Sequence, residues 1–138
     1  MRSPILIAML VLVGAVATGT VVSGDGAAAP VRQWAIAEFS QPTLVGSTIV
    51  QGPVLFTHDS SKMARHEPCT TVYLFDPAVG PLEEVASFHC IPTPRKVVNK
   101  FTIRTTTNTN LGFGCVLTEY QFAGDAEGHG VPAAADGH

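Results

Sequence analysis

Short runs of β-branched and aromatic residues, closed by glycine, proline or asparagine, dominate the chain after residue 30. These residue types favour a pleated, half-buried strand. No segment keeps an apolar period of 3.6 residues through three helical turns. The strand-like segments are residues 31–39, 43–50, 54–58, 70–75, 83–91, 97–106 and 111–122. Their number and their short breaks predict an all-β domain, an antiparallel β-sandwich or barrel of about seven strands.

Residues 59–67 (DSSKMARHE) form the one polar stretch with helical character in this β pattern. Asp59 or Ser60 can cap a single helical turn, and Pro68 ends it. Elsewhere the strand pattern assigns Trp34 to the core. We therefore expect one short helix beside a β core.

The first 29 residues differ in kind from the rest. Arg2 is followed by an uncharged apolar run at 5–22, and small residues fill 24–29. This order is typical of a secretory signal peptide. An uncleaved membrane anchor is the alternative, since a run of this length reaches the lower limit of a membrane span. Both interpretations place the domain outside the cytoplasm, in the periplasm or the extracellular space.

Composition divides the remaining chain into two parts. Residues 30–124 carry the strand pattern of the β-sandwich domain, whereas 125–138 are small and polar and predict a flexible tail. The net charge of −3 lacks the basic excess of nucleic-acid-binding proteins. We therefore expect no nucleic-acid partner. No second apolar run follows residue 22, so we expect no membrane contact beyond an N-terminal anchor. The partner is expected to be an unidentified protein or small molecule.

Three cysteines occur, at positions 69, 90 and 115. If the segments flanking the loop at 76–81 pair as an antiparallel hairpin, a turn centred between Val79 and Gly80 places Cys69 opposite Cys90. Directly opposed residues of such a pair lie about 4.5 Å apart at Cα, within reach of a disulfide. Export favours disulfides, so we predict a Cys69–Cys90 bond. A register slip or reduced, buried thiols are the alternatives.

Cys115 has no obvious partner in this scheme. Strand alternation places it on one face with Phe113 and Leu117, so it is expected to be an unpaired core residue. Pairing with a second molecule is left open, because an odd thiol in a secreted chain allows it.

A metal or ligand site is the sharpest functional hypothesis. Its candidate residues are His58, Asp59, Met63, His66 and His89. The wider set of potential ligands adds Cys69, Cys90, Asp125, Glu127 and His129. Sulfur and imidazole ligands suit copper or zinc, although the spacing matches no standard site and no cofactor is required by the sequence. His89 and Cys90 are adjacent on a strand, so they point to opposite faces and are not expected to share an ion.

Catalytic signatures are absent from the sequence. It contains no Gly-x-Ser-x-Gly elbow, no His-Glu-x-x-His helix and no phosphate-binding glycine loop. His58 and Asp59 precede Ser60 and Ser61, which are triad residue types, but sequence neighbours rarely converge in space. No catalytic residue is assigned.

Three stretches together resemble a group of small exported bacterial all-β proteins with no assigned activity. These are HDSSKMARHEPCT (58–70), SFHCIP (87–92) and LTEYQFAGDAEGHGVP (117–132). The resemblance implies a shared fold and secretion, and it supplies no site residues. We therefore expect a non-enzymatic interaction or structural module. A copper- or zinc-binding protein and a hydrolase-like enzyme of unrecognised type are the alternatives.

Overall fold

A computed structural model of the protein describes residues 32–108 and 114–133. The signal or anchor segment at 1–29 lies outside the described residues, so its function stays a prediction. Among the residues described, no helix is long and apolar enough to cross a membrane.

The described chain is all-β, which confirms the predicted fold class. It contains eight strands and, in the same ranges, one helix of five residues. In chain order the elements are β1 (Arg32–Val45), β2 (Thr48–Asp59), α1 (Ser60–Ala64), β3 (Thr70–Asp76), β4 (Gly80–Phe88), β5 (Ile91–Pro94), β6 (Thr102–Asn108), β7 (Gly114–Gln121) and β8 (Glu127–Gly130).

The eight strands form one mixed sheet in the order β4-β3-β2-β1-β7-β8-β5, and β6 pairs with the other edge of β7. All pairs are antiparallel except β1 with β7, which meet in parallel at Leu44 and Val116. The sheet is not closed within the described ranges. The half that contains β2 and the half that contains β7 share one core. Phe56 of β2 contacts Tyr120 of β7 with ring centroids 5.2 Å apart.

Alternation along the strands decides what this core contains. On β1 the inward residues are Ala37 and Phe39, and Trp34 and Ile36 point outward. Trp34 is 67% exposed, so its assignment to the core was wrong. Both faces of β1 carry apolar residues, and period 2 alone does not say which face is buried. Each large side chain that is buried contributes roughly 1.5–3 kcal/mol.

Two expected breaks lie inside strands. Residues 41–42 were expected to stop the first strand, but β1 continues through them with a register shift between Phe39 and Thr43. Gly52 was expected in a turn, and it lies in β2 with a φ of +86°. This backbone conformation favours glycine, and it lets β2 bend without ending.

The C-terminal boundary also differs from the prediction. Residues 127–130, expected in a flexible tail, form β8 and pair with β5 and β7. β5 itself contains Pro92 and Pro94, which were expected to break a strand. β5 lies at the edge of the sheet, where proline is tolerated because one side needs no ladder hydrogen bond. Residues 134–138 of the predicted tail lie outside the described residues.

Candidate metal centre

Four buried side chains with sulfur or imidazole groups come from four different parts of the sheet. His58 is the last inward residue of β2, after Phe56, and is 4% exposed. Cys69 immediately precedes β3, and Cys90 lies two residues beyond β4. His129 comes from β8 and is 1% exposed. We call these four residues the His/Cys cluster.

Cys90 is the centre of the cluster. Its Sγ lies 3.0 Å from Cys69 Sγ, 3.5 Å from His58 Nε2 and 3.5 Å from His129 Nδ1. Ligand atoms of His58, Cys69 and Cys90 all lie within 4.8 Å of one another. The backbone N–H of Cys90 also donates to Cys69 Sγ at 3.3 Å. Two sulfurs and the His58 imidazole therefore lie close together, and His129 joins them through its contact with Cys90.

The sulfurs meet although the predicted hairpin register was wrong by one residue at Thr70 and by three residues at Phe75. Thr70 pairs with Phe88, and register shifts lie on either side of Tyr73. Cys69 and Cys90 both lie just beyond Thr70 and Phe88, the last pair of the β3–β4 ladder. The two cysteines are adjacent but not bonded to each other. The predicted proximity is therefore confirmed, while the covalent bond stays a prediction.

Each histidine of the cluster has one unpartnered ring nitrogen. His58 Nδ1 and His129 Nε2 are buried and have no hydrogen-bond partner among residues 32–108 and 114–133. A buried polar atom without a partner costs about 1–3 kcal/mol, and native proteins contain few of them. Neither is the nitrogen that contacts Cys90 Sγ, so an ion bound beside Cys90 would leave both of them without a partner.

Burial keeps the His129 ring neutral. Its removal from water, with His58 close by, lowers the pKa of His129 to about 4. At neutral pH the ring therefore carries no charge and offers a nitrogen lone pair, the form in which histidine binds metals.

The contact between the two thiols shifts their pKa values in opposite directions. The contact with Cys90 holds the pKa of the Cys69 thiol well below its usual value, and the same contact raises the pKa of Cys90. A thiolate is the form of cysteine that acts as a metal ligand.

Aromatic rings fix the histidine orientations. Tyr120 stacks on His129 at a centroid distance of 4.9 Å and an interplanar angle of 20°, and Phe122 meets the same ring edge-on at 5.9 Å. The Tyr120 hydroxyl pairs with the Thr70 hydroxyl, and burial raises the pKa of Tyr120. The His58 and His129 rings lie 4.3 Å apart. Aromatic rings therefore pack directly against the histidines of the cluster.

The distances suit a tetrahedral ion. Zn–S bonds of about 2.3 Å and Zn–N bonds of about 2.05 Å place tetrahedral sulfur and nitrogen ligands about 3.6 Å apart. Both Cys90–histidine distances are 3.5 Å. Two sulfurs on one such ion lie about 3.8 Å apart, so the cysteines need to separate by less than about 1 Å. The distances from Cys90 Sγ to the two imidazole nitrogens therefore match those between two ligands of one zinc ion.

Of the predicted ligand residues, the structure brings His58, Cys69 and Cys90 together. Asp59 instead caps α1 by accepting from the Ser61 backbone at 2.9 Å, and it pairs with Arg32 at 3.2 Å. Met63 is half-buried on α1, and His66 and His89 are exposed. Glu127, from the wider ligand set, lies with its Oε1 3.9 Å from His129 Nδ1.

His129 was named only in the wider ligand set, within the predicted tail. Its place depends on β8 lying close against β7, and the glycine before it permits this. A Cβ at Gly128 would collide with the Glu119 carboxylate. The Gly-His-Gly triplet is the one sequence signal that pointed to a closely packed histidine.

Cys115 lies apart from the other two cysteines. Its side chain is half-buried rather than in the core, and Gln41 Nε2 donates to its Sγ at 3.1 Å. This position makes it a natural control for the cluster cysteines.

Comparison of the chain with protein-family models, curated proteins and solved structures gives no match. The resemblance to small exported bacterial proteins is therefore neither supported nor contradicted. Function has to be argued from the cluster itself.

Proposed function

We propose that this chain is a metal-binding protein that holds one zinc or copper ion with His58, Cys69, Cys90 and His129. The observation that carries the proposal is the convergence of two thiols with two buried imidazoles. His58 Nε2 and His129 Nδ1, the ring nitrogens that lie 3.5 Å from Cys90 Sγ, are the ones that would bind the ion. The proposal takes up the metal-binding alternative from the sequence with a changed ligand set.

The donor types narrow the choice of ion. Two thiolates and two imidazoles form the set typical of structural zinc sites, and the same soft ligands select Cu⁺. Calcium and magnesium prefer oxygen ligands, and no carboxylate is part of the cluster as defined above. The ion is therefore zinc or copper.

The burial of the ligands argues for a structural or storage role. Four protein ligands fill a tetrahedral ion, whereas catalytic zinc keeps one position open for water or substrate. Cys69 and Cys90 are 3% and 8% exposed. A bound ion would tie β2 and β8 to the β3–β4 hairpin. This agrees with the expectation of a non-enzymatic module.

A disulfide is the second candidate use of the two sulfurs. Their 3.0 Å separation favours it, and it is the bond that the sequence predicts for an exported chain. A disulfide would staple the β3–β4 hairpin but would leave His58 and His129 without a thiolate neighbour. It accounts for the cysteines and not for the histidines, so we favour the metal.

The test is metal uptake by the reduced full chain, purified without chelator and titrated separately with Zn²⁺ and Cu⁺. We expect one equivalent of metal per chain. His58→Asn and His129→Asn should lose uptake, whereas His66→Asn and His89→Asn should keep it, because those rings are exposed and lie outside the cluster. Circular dichroism of each variant checks that it has folded. Uptake that depends on His66 or His89, or no uptake at all, contradicts the proposal.

A further inference from the structure

We infer that Cys69 and Cys90 form a redox-controlled gate for the ion: the reduced pair binds it, and oxidation to a Cys69–Cys90 disulfide releases it. This inference rests on the proposed metal-binding function and adds the control of occupancy. It also gives the predicted disulfide a role beyond stapling a hairpin.

The distance between the two sulfurs lies between the distance in a disulfide and the distance between two ligands of one metal ion. The Sγ atoms are 3.0 Å apart, whereas a disulfide needs about 2.05 Å and a shared tetrahedral ion about 3.8 Å. Each state is therefore reached by a movement of about 1 Å or less. The same pair of residues is positioned for both.

The backbone around the two cysteines can accommodate that movement. The β3–β4 pairing ends at Thr70 and Phe88, so Cys69 and Cys90 lie outside the ladder. Cys69 is tied locally, since its carbonyl accepts from the Asp59 N–H at 3.0 Å. A shift of one sulfur breaks no strand pair, and the fold is the same in both states.

The two states exclude each other. A disulfide removes both thiolates and both of their negative charges from the ligand set. His58 and His129 then remain as the only two donors of the cluster, and structural zinc sites use four. Metal and disulfide therefore compete for the same two sulfurs.

The oxidant we propose is a small-molecule disulfide. A thiolate of the pair attacks one sulfur of that disulfide, forms a mixed disulfide and expels one small thiolate. The second protein thiolate then attacks the bonded protein sulfur, closes Cys69–Cys90 and expels the second small thiolate. Two electrons pass from the protein to the oxidant. The expelled thiolates take up protons from water, and Zn²⁺ leaves as the hydrated ion.

Occupancy in turn protects the thiols. Metal coordination occupies the sulfur lone pair that attacks a disulfide, and both sulfurs are buried. The metal-free reduced protein should therefore be oxidised faster than the zinc-loaded protein. In an oxidising compartment, where disulfides persist, a chain that has not bound metal would be locked in its disulfide form.

The experiment starts with the reduced full chain loaded with one equivalent of Zn²⁺. Oxidised glutathione is added, zinc release is followed with a chromogenic chelator, and disulfides are mapped by peptide mass spectrometry. We expect one zinc released per Cys69–Cys90 bond formed, at least about tenfold slower oxidation with zinc than without, and renewed zinc binding after reduction by dithiothreitol.

Cys115→Ser is the matched control, and it should behave as the wild type because Cys115 lies outside the cluster. Zinc retained after the disulfide has formed, or a disulfide that pairs Cys115 instead, overturns the redox gate and leaves the metal-binding proposal standing. Failure of the reduced chain to load zinc in the first step contradicts the metal-binding proposal, and the gate with it. The loading and oxidation steps therefore separate the two failures.

Discussion

Buried polar side chains in two regions of the sheet differ in how completely the chain satisfies their hydrogen bonds. Glu119 of β7 is 6% exposed, and both of its carboxylate oxygens are paired. Arg95 donates to them at 2.8 and 2.6 Å, and Arg104 donates at 2.8 Å. By contrast, His58 and His129 each keep a buried ring nitrogen without a partner in the described part of the chain.

Gln121, two positions after Glu119, is also fully hydrogen-bonded. Gln121 donates to the carbonyls of Lys96 and Asp125, both at 2.8 Å, and accepts from Arg104 at 2.9 Å. The fold is therefore able to satisfy buried polar groups completely where their role is structural. The cluster histidines are not satisfied in this way, because His58 Nδ1 and His129 Nε2 have no hydrogen-bond partner among the described residues.

The largest expected effect comes from removing the central sulfur of the cluster. Cys90→Ser should lower zinc affinity by more than about 100-fold, because Cys90 Sγ contacts the other three ligand residues and even outer-shell changes cost 10–100-fold. Competition with a chromogenic chelator measures the affinity. Cys115→Ser should bind zinc as the wild type does. Equal zinc affinities of Cys90→Ser and Cys115→Ser would contradict the assignment of Cys90 to the metal centre.

The next largest effect is on stability, and it comes from Glu119, whose carboxylate is fully paired. Glu119→Gln should destabilise the chain by about 2–3 kcal/mol, below the range for breaking a fully buried pair because both arginines are partly exposed. Urea unfolding of the metal-free protein measures the change. Zinc stoichiometry should stay at one. A variant that loses zinc as well as stability would show that the two regions are not independent.

A smaller loss of stability is expected when the hydrogen bond between the Thr70 and Tyr120 hydroxyls is removed. Tyr120→Phe leaves the buried Thr70 hydroxyl without its partner, which costs about 1–2 kcal/mol. The phenyl ring can still stack on His129, so zinc affinity should change by less than about threefold, well under the cost of a lost hydrogen bond. Thermal unfolding and zinc titration of the same preparation check both parts. A large affinity loss would assign Tyr120 to the metal centre.

The smallest effect is on pH dependence. Hydrogen bonds from Arg95, with the charges of both arginines, hold the pKa of Glu119 below the usual glutamate value of 4.5. As the pH falls, the unfolded chain takes up this proton first, so the stabilisation is present above about pH 4.5 and is lost as the pH falls through the folded pKa. The stability difference between wild type and Glu119→Gln should therefore shrink between pH 6 and pH 3. A constant difference across that range would contradict the ion-pair account.

The part of this site that sequence could predict depends on local chain reversal. Cys69 and Cys90 flank one bend, so their proximity followed from the hairpin alone, even with the register wrong by one to three residues. The bulges beside Tyr73 that changed the register depend on side-chain packing, which the pattern does not contain. His58 was among the predicted ligands because of its residue type.

The part that sequence could not predict depends on long-range pairing. His129 enters the cluster only because β8 pairs with β7 and β5, and a four-residue strand gives almost no periodic signal. Trp34 was misassigned for a related reason. Which face of β1 is buried is decided by the other half of the sheet, far away in sequence.

The most direct test of the metal centre is X-ray absorption at the zinc edge of the reduced, zinc-loaded full chain. The proposed ligand set predicts two sulfurs at about 2.3 Å and two nitrogens at about 2.0–2.1 Å, with the imidazole scattering typical of histidine. A first shell of oxygen and nitrogen alone, without sulfur, would contradict it.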